Sequence, residues 1–151
     1  MNNKLTAQAF IQIQKSPQDV FEAIINPDKM QHYFASGSGT LASGKTVEWW
    51  FPEFPDHFPV NGRDIIPYSY ISFDWSGGVK DMLVEIKLEA QNDGSTVVRI
   101  DEHQMEFTPE GVQLALRQTG GWANFLACLK AYLEYNIHLR KGAFDFMKSS
   151  D

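Results

Sequence analysis

Residues 120–140, GGWANFLACLKAYLEYNIHLR, decide the fold. Trp122, Leu126, Leu129, Leu133 and Ile137 recur at steps of four, three, four and four, which marks one face of an α-helix. Phe125 and Tyr132 widen the apolar stripe. From Trp122 to Arg140 the helix would run about 28 Å at ~1.5 Å per residue. That is the length of an eight-residue strand at ~3.4 Å per residue, so the helix can lie along one sheet. Gly120 and Gly121 precede it inside a helical pattern that begins near Pro109. Each glycine costs about 1 kcal/mol relative to alanine, so a kink or break is expected there.

Upstream of this helix the period changes to two. Ser95 to His103 carries Val98 and Ile100 on one face, and Glu102 continues that parity. Glu102 is therefore expected to point inward and His103 outward, unless a bulge near Gln104 exchanges them. Met82 to Ala90 alternates Val84, Ile86, Leu88 and Ala90 with polar neighbours, and Asn92-Asp93-Gly94 is a hairpin turn. Tyr70 to Trp75 and Val60 to Ile66 form a further pair around Pro67. Thr46 to Phe51 places Val47, Trp49 and Phe51 together, with Glu48 and Trp50 turned to solvent or a partner. The segment PEFPDHFP, Pro52 to Pro59, has three prolines in eight residues and is expected as a loop.

The start of the chain reads in the same way. Leu5 to Gln14 alternates as a half-buried strand, with Phe10 on the wrong side. Ser16-Pro17-Gln18-Asp19 is a helix start: a side-chain cap, a proline at the first helical position and an acid near the positive end. Val20, Phe21, Ile24 and Ile25 give that helix its buried face. A second short helix follows Asn26-Pro27-Asp28, with Met30, Tyr33 and Phe34 turned inward. Ala35 to Gly44 is turn-rich, with a short strand expected around Leu41. The expected class is α+β: a curved antiparallel sheet of six or seven strands around a long C-terminal helix, with two short helices after the first strand.

At 151 residues the chain fits one domain, 1–151. Thirteen basic against nineteen acidic residues leave a net charge of −6, unlike the basic stripe of a nucleic-acid surface. No apolar run reaches the ~18 residues of a membrane span. MNNKLTAQAF has no basic-then-apolar layout, and a lone cysteine, Cys128, forms no internal disulfide; a cytoplasmic setting is expected. Cys128 sits among apolar helix positions and is expected as an inert thiol, with His32 and His138 on helix surfaces. Glu53, Asp56 and His57 lack a fourth ligand and are expected as a solvated acidic loop, so no metal or cofactor is expected. No catalytic motif is present, and the tail from Lys148 to Asp151 is expected to fray.

Four stretches carry a family resemblance: SPQDVFEAIINPDKMQHYF (16–34), YISFDW (70–75), STVVRIDEHQMEF (95–107) and GGWANFLACLKAYLE (120–134). In this order they resemble the START-like (Bet v 1-like, SRPBCC) superfamily. Within it they are most similar to proteins like the C-terminal domain of the activator of Hsp90 ATPase. The resemblance implies a helix-grip fold with a cavity between sheet and terminal helix, and a hydrophobic or aromatic small molecule as its ligand. Phe34, Trp49, Phe51, Phe73, Trp75, Glu102, His103, Trp122, Phe125, Leu129 and Tyr132 are the residues expected around it. Two alternatives stand beside this reading. One is an interaction protein that docks on a chaperone or forms a homodimer; the other is an enzyme that acts on a bound ligand through Glu102 or His103.

Overall fold

The computed structural model describes residues 3–79 and 82–148. Ser149 to Asp151, part of the expected frayed tail, lie outside the described residues. Strand β1 (Lys4–Ile13) leads into helix α1 (Pro17–Ile25) and the one-turn helix α2 (Pro27–Met30). Ser16 accepts a hydrogen bond from the Asp19 amide, and Asn26 does the same for Asp28, so both helices start on side-chain caps followed by proline. Then come β2 (Ser36–Gly37), β3 (Thr46–Trp50), β4 (His57–Ile66), β5 (Tyr70–Asp74), β6 (Leu83–Ala90), β7 (Thr96–Glu106) and helix α3 (Pro109–Tyr135). A short 3₁₀ turn, Asp145–Met147, closes the described chain.

The seven strands form one antiparallel sheet in the order β1-β7-β6-β5-β4-β3-β2. Strands β2 to β7 meander, and β1 joins the far side of β7. Irregular register in β4 between Gly62 and Ile65, and in the β1–β7 pair near its open end, bends the sheet. Helix α3 lies nearest β1 and β7. The wedge left between it and β3–β5 is filled by rings. Ile13, Val47, Val60, Ile71, Val84, Ile86, Val98 and Ile100 make the apolar floor of the sheet.

Four local expectations are corrected. Helix α3 runs unbroken through Gly120 and Gly121. Its cost of about 2 kcal/mol for the pair is outweighed by burial of Trp122, Phe125, Leu126 and Leu129, at ~1.5–3 kcal/mol for each aliphatic side chain and more for the rings. The helix also stops five residues before Arg140, at Tyr135: Asn136 takes the left-handed conformation, φ 53°, and its N–H closes the last turn on the Tyr132 carbonyl. His138 is thus not on a helix, and Ile137 is half exposed. Finally, β4 begins at His57, inside the proline-rich segment. Pro59 is tolerated because it pairs with Glu48 of β3 while β5 pairs only from Asn61, leaving one flank without a neighbour. The short strand expected near Leu41 falls instead at Ser36–Gly37, and Leu41 is a buried loop residue.

Candidate functional site

The site begins with Glu102. Val98, Ile100 and Glu102 share the inner face of β7, and the register slip comes only between Glu102 and Met105. Glu102 therefore keeps its inward direction and is 2% exposed. Its Oε1 accepts from Trp122 Nε1 at 2.8 Å and Gln118 Nε2 at 2.9 Å; its Oε2 accepts from Trp75 Nε1 at 2.9 Å. All three donors are neutral. A buried carboxylate is normally paired with a cation, but among the described residues Glu102 has no cationic partner. Its work is to hold two indoles, one from the sheet and one from the helix, with ring centroids 5.2 Å apart.

Those indoles form the wall of an open recess of about 230 Å³. Phe34 and Phe51 stand opposite at a centroid distance of 5.1 Å, Gly121 leaves the helix side bare, and Arg140 and Phe144 cover the far end. Gln118 and Asn124 supply the amide groups at its rim. A second recess of about 320 Å³ lies beyond Trp75 and Gln118, bounded by Glu102, Met82 and Leu114. Trp75 and Gln118 are the partition between the two.

Arg140 reaches back to the loop after β3. Its Nη2 and Nη1 donate to the two oxygens of Glu53 at 2.8 and 3.2 Å, and the pair is almost wholly buried, Arg140 8% and Glu53 5% exposed. The guanidinium lies 4.9 Å from the Phe51 ring centre and 4.8 Å from that of Phe144. This corrects the solvated-loop expectation for Glu53. His57 is elsewhere, stacked on Trp50 at 4.2 Å and bonded to Glu48 on the outer side. No cluster of metal-ligating side chains is found among the described residues.

The residues expected around a ligand fall into three groups. Phe34, Phe51, Trp75 and Trp122 line the recess, with Glu102 behind them. Trp49, Phe73, Phe125 and Leu129 are buried in closed packing, and Tyr132 stacks between His32 and Tyr33. Edge-to-face contacts fill that region: Phe34–Phe125 at 4.8 Å and Trp49–Phe73 at 5.2 Å. His103 is not among the recess residues, which corrects its place in that set and agrees with the outward direction expected from its parity. Strand parity sends it to the outer face, where its Nε2 lies 2.8 Å from Glu85 and its Nδ1 3.2 Å from the Thr6 hydroxyl.

Two buried groups inside the core are chemically quiet. Burial pushes the Cys128 thiol up, so the thiolate a nucleophile needs is disfavoured. Burial, reinforced by Tyr132, pushes the Tyr33 phenol well above its ordinary value, and its hydroxyl donates to the Ala23 carbonyl at 2.9 Å.

A seven-stranded antiparallel sheet gripping one long helix, with an aromatic recess at one end of the grip, defines a START-like helix-grip protein. The family model for activator of Hsp90 ATPase homolog 1-like proteins matches residues 14–134. The chain belongs to that family. Among solved structures it is similar to protein SSP2350 from Staphylococcus saprophyticus, at 28% identity and a TM-score of 0.79, over 90% of this chain and 96% of that one. It is also similar to the Aha1 dimer from Colwellia psychrerythraea, at 21% identity and TM-score 0.73, over 87% and 97%. DynU16, a protein of the dynemicin biosynthetic locus, matches at 20% identity and TM-score 0.76, over 87% of this chain and 48% of that one. No curated protein matches the sequence. No helix among the described residues is long and apolar enough to cross a membrane.

Proposed function

We propose that this protein binds a small, flat, apolar molecule in the recess between Gly121 and Phe51. One observation carries the reading. At Gly111 an added Cβ would lie 1.8 Å from the Glu106 carbonyl oxygen, so close backbone approach demands glycine there. At Gly120 and Gly121 it would meet nothing within 4 Å. Packing does not require these two glycines, and each weakens the helix by about 1 kcal/mol. Of the two, Gly121 borders the recess, and the function that fits is to leave its helix side bare beside Trp122.

The recess alone falls just below the ~300–1,000 Å³ of common ligand pockets, which favours a mono- or bicyclic ring system over a long lipid. Its walls offer ring faces for stacking and few hydrogen-bond partners. Neutral 2-naphthamide is a suitable probe, followed by ligand-detected NMR and thermal shift. Saturable binding to the wild type is expected. Gly121→Leu should weaken it about tenfold or more, equivalent to ~1.4 kcal/mol, while the variant itself becomes more stable. A wild type that binds no bicyclic aromatic compound, or a variant that binds as well, would overturn the proposal.

Self-association is a second reading, favoured by exposed apolar side chains at Tyr135, Ile137, Leu139 and Phe146 in and after the end of α3. Sedimentation of the wild type against a Leu139→Ser, Phe146→Ser variant separates the two readings. A monomeric wild type ends this one.

A further inference from the structure

We infer that the ligand carries an anionic group, a carboxylate or its equivalent, which docks on the free edge of Arg140. This rests on the apolar-recess reading and adds the polarity of the molecule to it. The evidence lies on the far side of Phe34 and Arg140. There a larger recess of about 710 Å³ opens, and both residues line it as well as the aromatic one. Arg140, Lys141 and Lys148 face this space against the carboxylates of Glu53 and Asp145. Glu53 is taken up by Arg140 and Asp145 bridges Lys148 at 3.2 Å. Lys141 has no carboxylate within bridging distance among the described residues. On a chain of net charge −6 this corner is positive. The neighbouring His138 is consistent with that field: burial first, then His32, Lys141 and Arg140, press its pKa below the ordinary value.

The geometry of Arg140 sets the docking direction. A guanidinium has five N–H donors in a planar fork. Two of them serve Glu53 end-on, and the guanidinium lies over the rings of Phe51 and Phe144. The side edge, with Nε–H and one outer Nη–H, has no acceptor among the described residues. Among the described residues no wholly enclosed side-chain nitrogen or oxygen is left unpaired, so the Nε–H on that edge meets accessible space. A fork edge of this kind matches the two oxygens of a carboxylate. Glu53 meanwhile fixes the side chain in place, so the site needs little rearrangement on binding. An aromatic acid can therefore place its rings beside Trp122 and Phe51 and direct its carboxylate toward Arg140, with Lys141 adding positive charge from the far side.

The test compares 2-naphthoate with 2-naphthamide, which have the same shape and differ in charge. The acid is expected to bind the wild type about tenfold more tightly, because its two anionic oxygens can take both donors of the fork edge while the amide offers one neutral oxygen. That advantage should shrink in high salt and in Lys141→Ala. It should vanish in the double variant Glu53→Gln, Arg140→Gln, which removes both charges together and leaves no lone buried ion. If that variant does not fold, the Arg140 Nε–Hε resonance of the wild type gives the answer: it should move with the acid and stay still with the amide. Equal affinity for acid and amide, or an unmoved Arg140 signal at saturation with acid, overturns the anion assignment and leaves the apolar reading intact. Binding of neither compound overturns both.

Discussion

The two ends of the interior are built from the same kind of side chain and behave differently. At one end Tyr33, Trp49, Phe73, Phe125 and Leu129 are closed over by the sheet floor and by α1 and α2, with no exposure of consequence. At the other, Phe34, Phe51, Trp75 and Trp122 make comparable ring contacts yet border open space. Aromatic content therefore does not create the recess. What sets it apart is what stands beside the rings: a bare position on α3 at Gly121, and a far end covered by Arg140 and Phe144 instead of by the sheet. The closed end stores stability, whereas the open end keeps two indoles in place by hydrogen bonding to one carboxylate.

This contrast can be broken at either end, and the closed end should respond most. Phe73→Ala, with its ring at 0% exposure, should cost about 3–5 kcal/mol in chemical denaturation. A loss under about 1 kcal/mol would mean that the region is not close-packed. At the hinge between the ends, Glu102→Gln keeps the shape but turns an amide N–H₂ toward one of the three donors. It should cost about 1–3 kcal/mol, and its tryptophan emission should shift as Trp75 or Trp122 is released. Unchanged stability and emission would show that the carboxylate does not organise the indoles. At the open end the sign reverses. Gly121→Ala should stabilise by up to about 1 kcal/mol, raising Tm by roughly 2–4 °C for a chain of this size.

The smallest effect is expected on the outer face of the sheet, which serves as the control for both ends. There the Tyr70 hydroxyl donates to Glu85, which also meets His103. The Tyr70 bond, ahead of a burial effect in the opposite sense and a bond to His103, holds the Glu85 carboxyl below its ordinary value. A depressed folded pKa means stability present above the unfolded value of about 4.5 and lost as pH falls through the folded one. The phenol itself is pushed up to about 12, first by burial and then by Glu85. Its contribution is full below pH 10 and lost as pH rises toward 12. Tyr70→Phe should flatten both limbs of a stability–pH profile without altering ligand binding. An unchanged profile would remove this pair from the account.

Much of this architecture was legible in the residues. Alternation placed Val84, Ile86, Val98 and Ile100 on one face and carried Glu102 inward with them, because strand parity is a strictly local rule. Capping chemistry at Ser16 and Asn26 located two helix starts for the same reason. The misreadings came where a local preference met a larger non-local term. The glycine pair in α3 was outweighed by core burial, and Pro59 was accommodated by a strand with one open flank. Arg140 gave no signal of its own: its partner Glu53 is 87 positions away, and its place in a helical pattern concealed that Asn136 ends the helix.

Periodicity and capping, which act over a few residues, determined the order of strands and helices and which side of each meets the core. Only the tertiary structure decided which aromatic rings close on one another and which border a recess. That outcome depends on contacts between β3, β5, β7, α3 and the segment after it, elements whose separation in the chain leaves no trace in any short stretch of sequence.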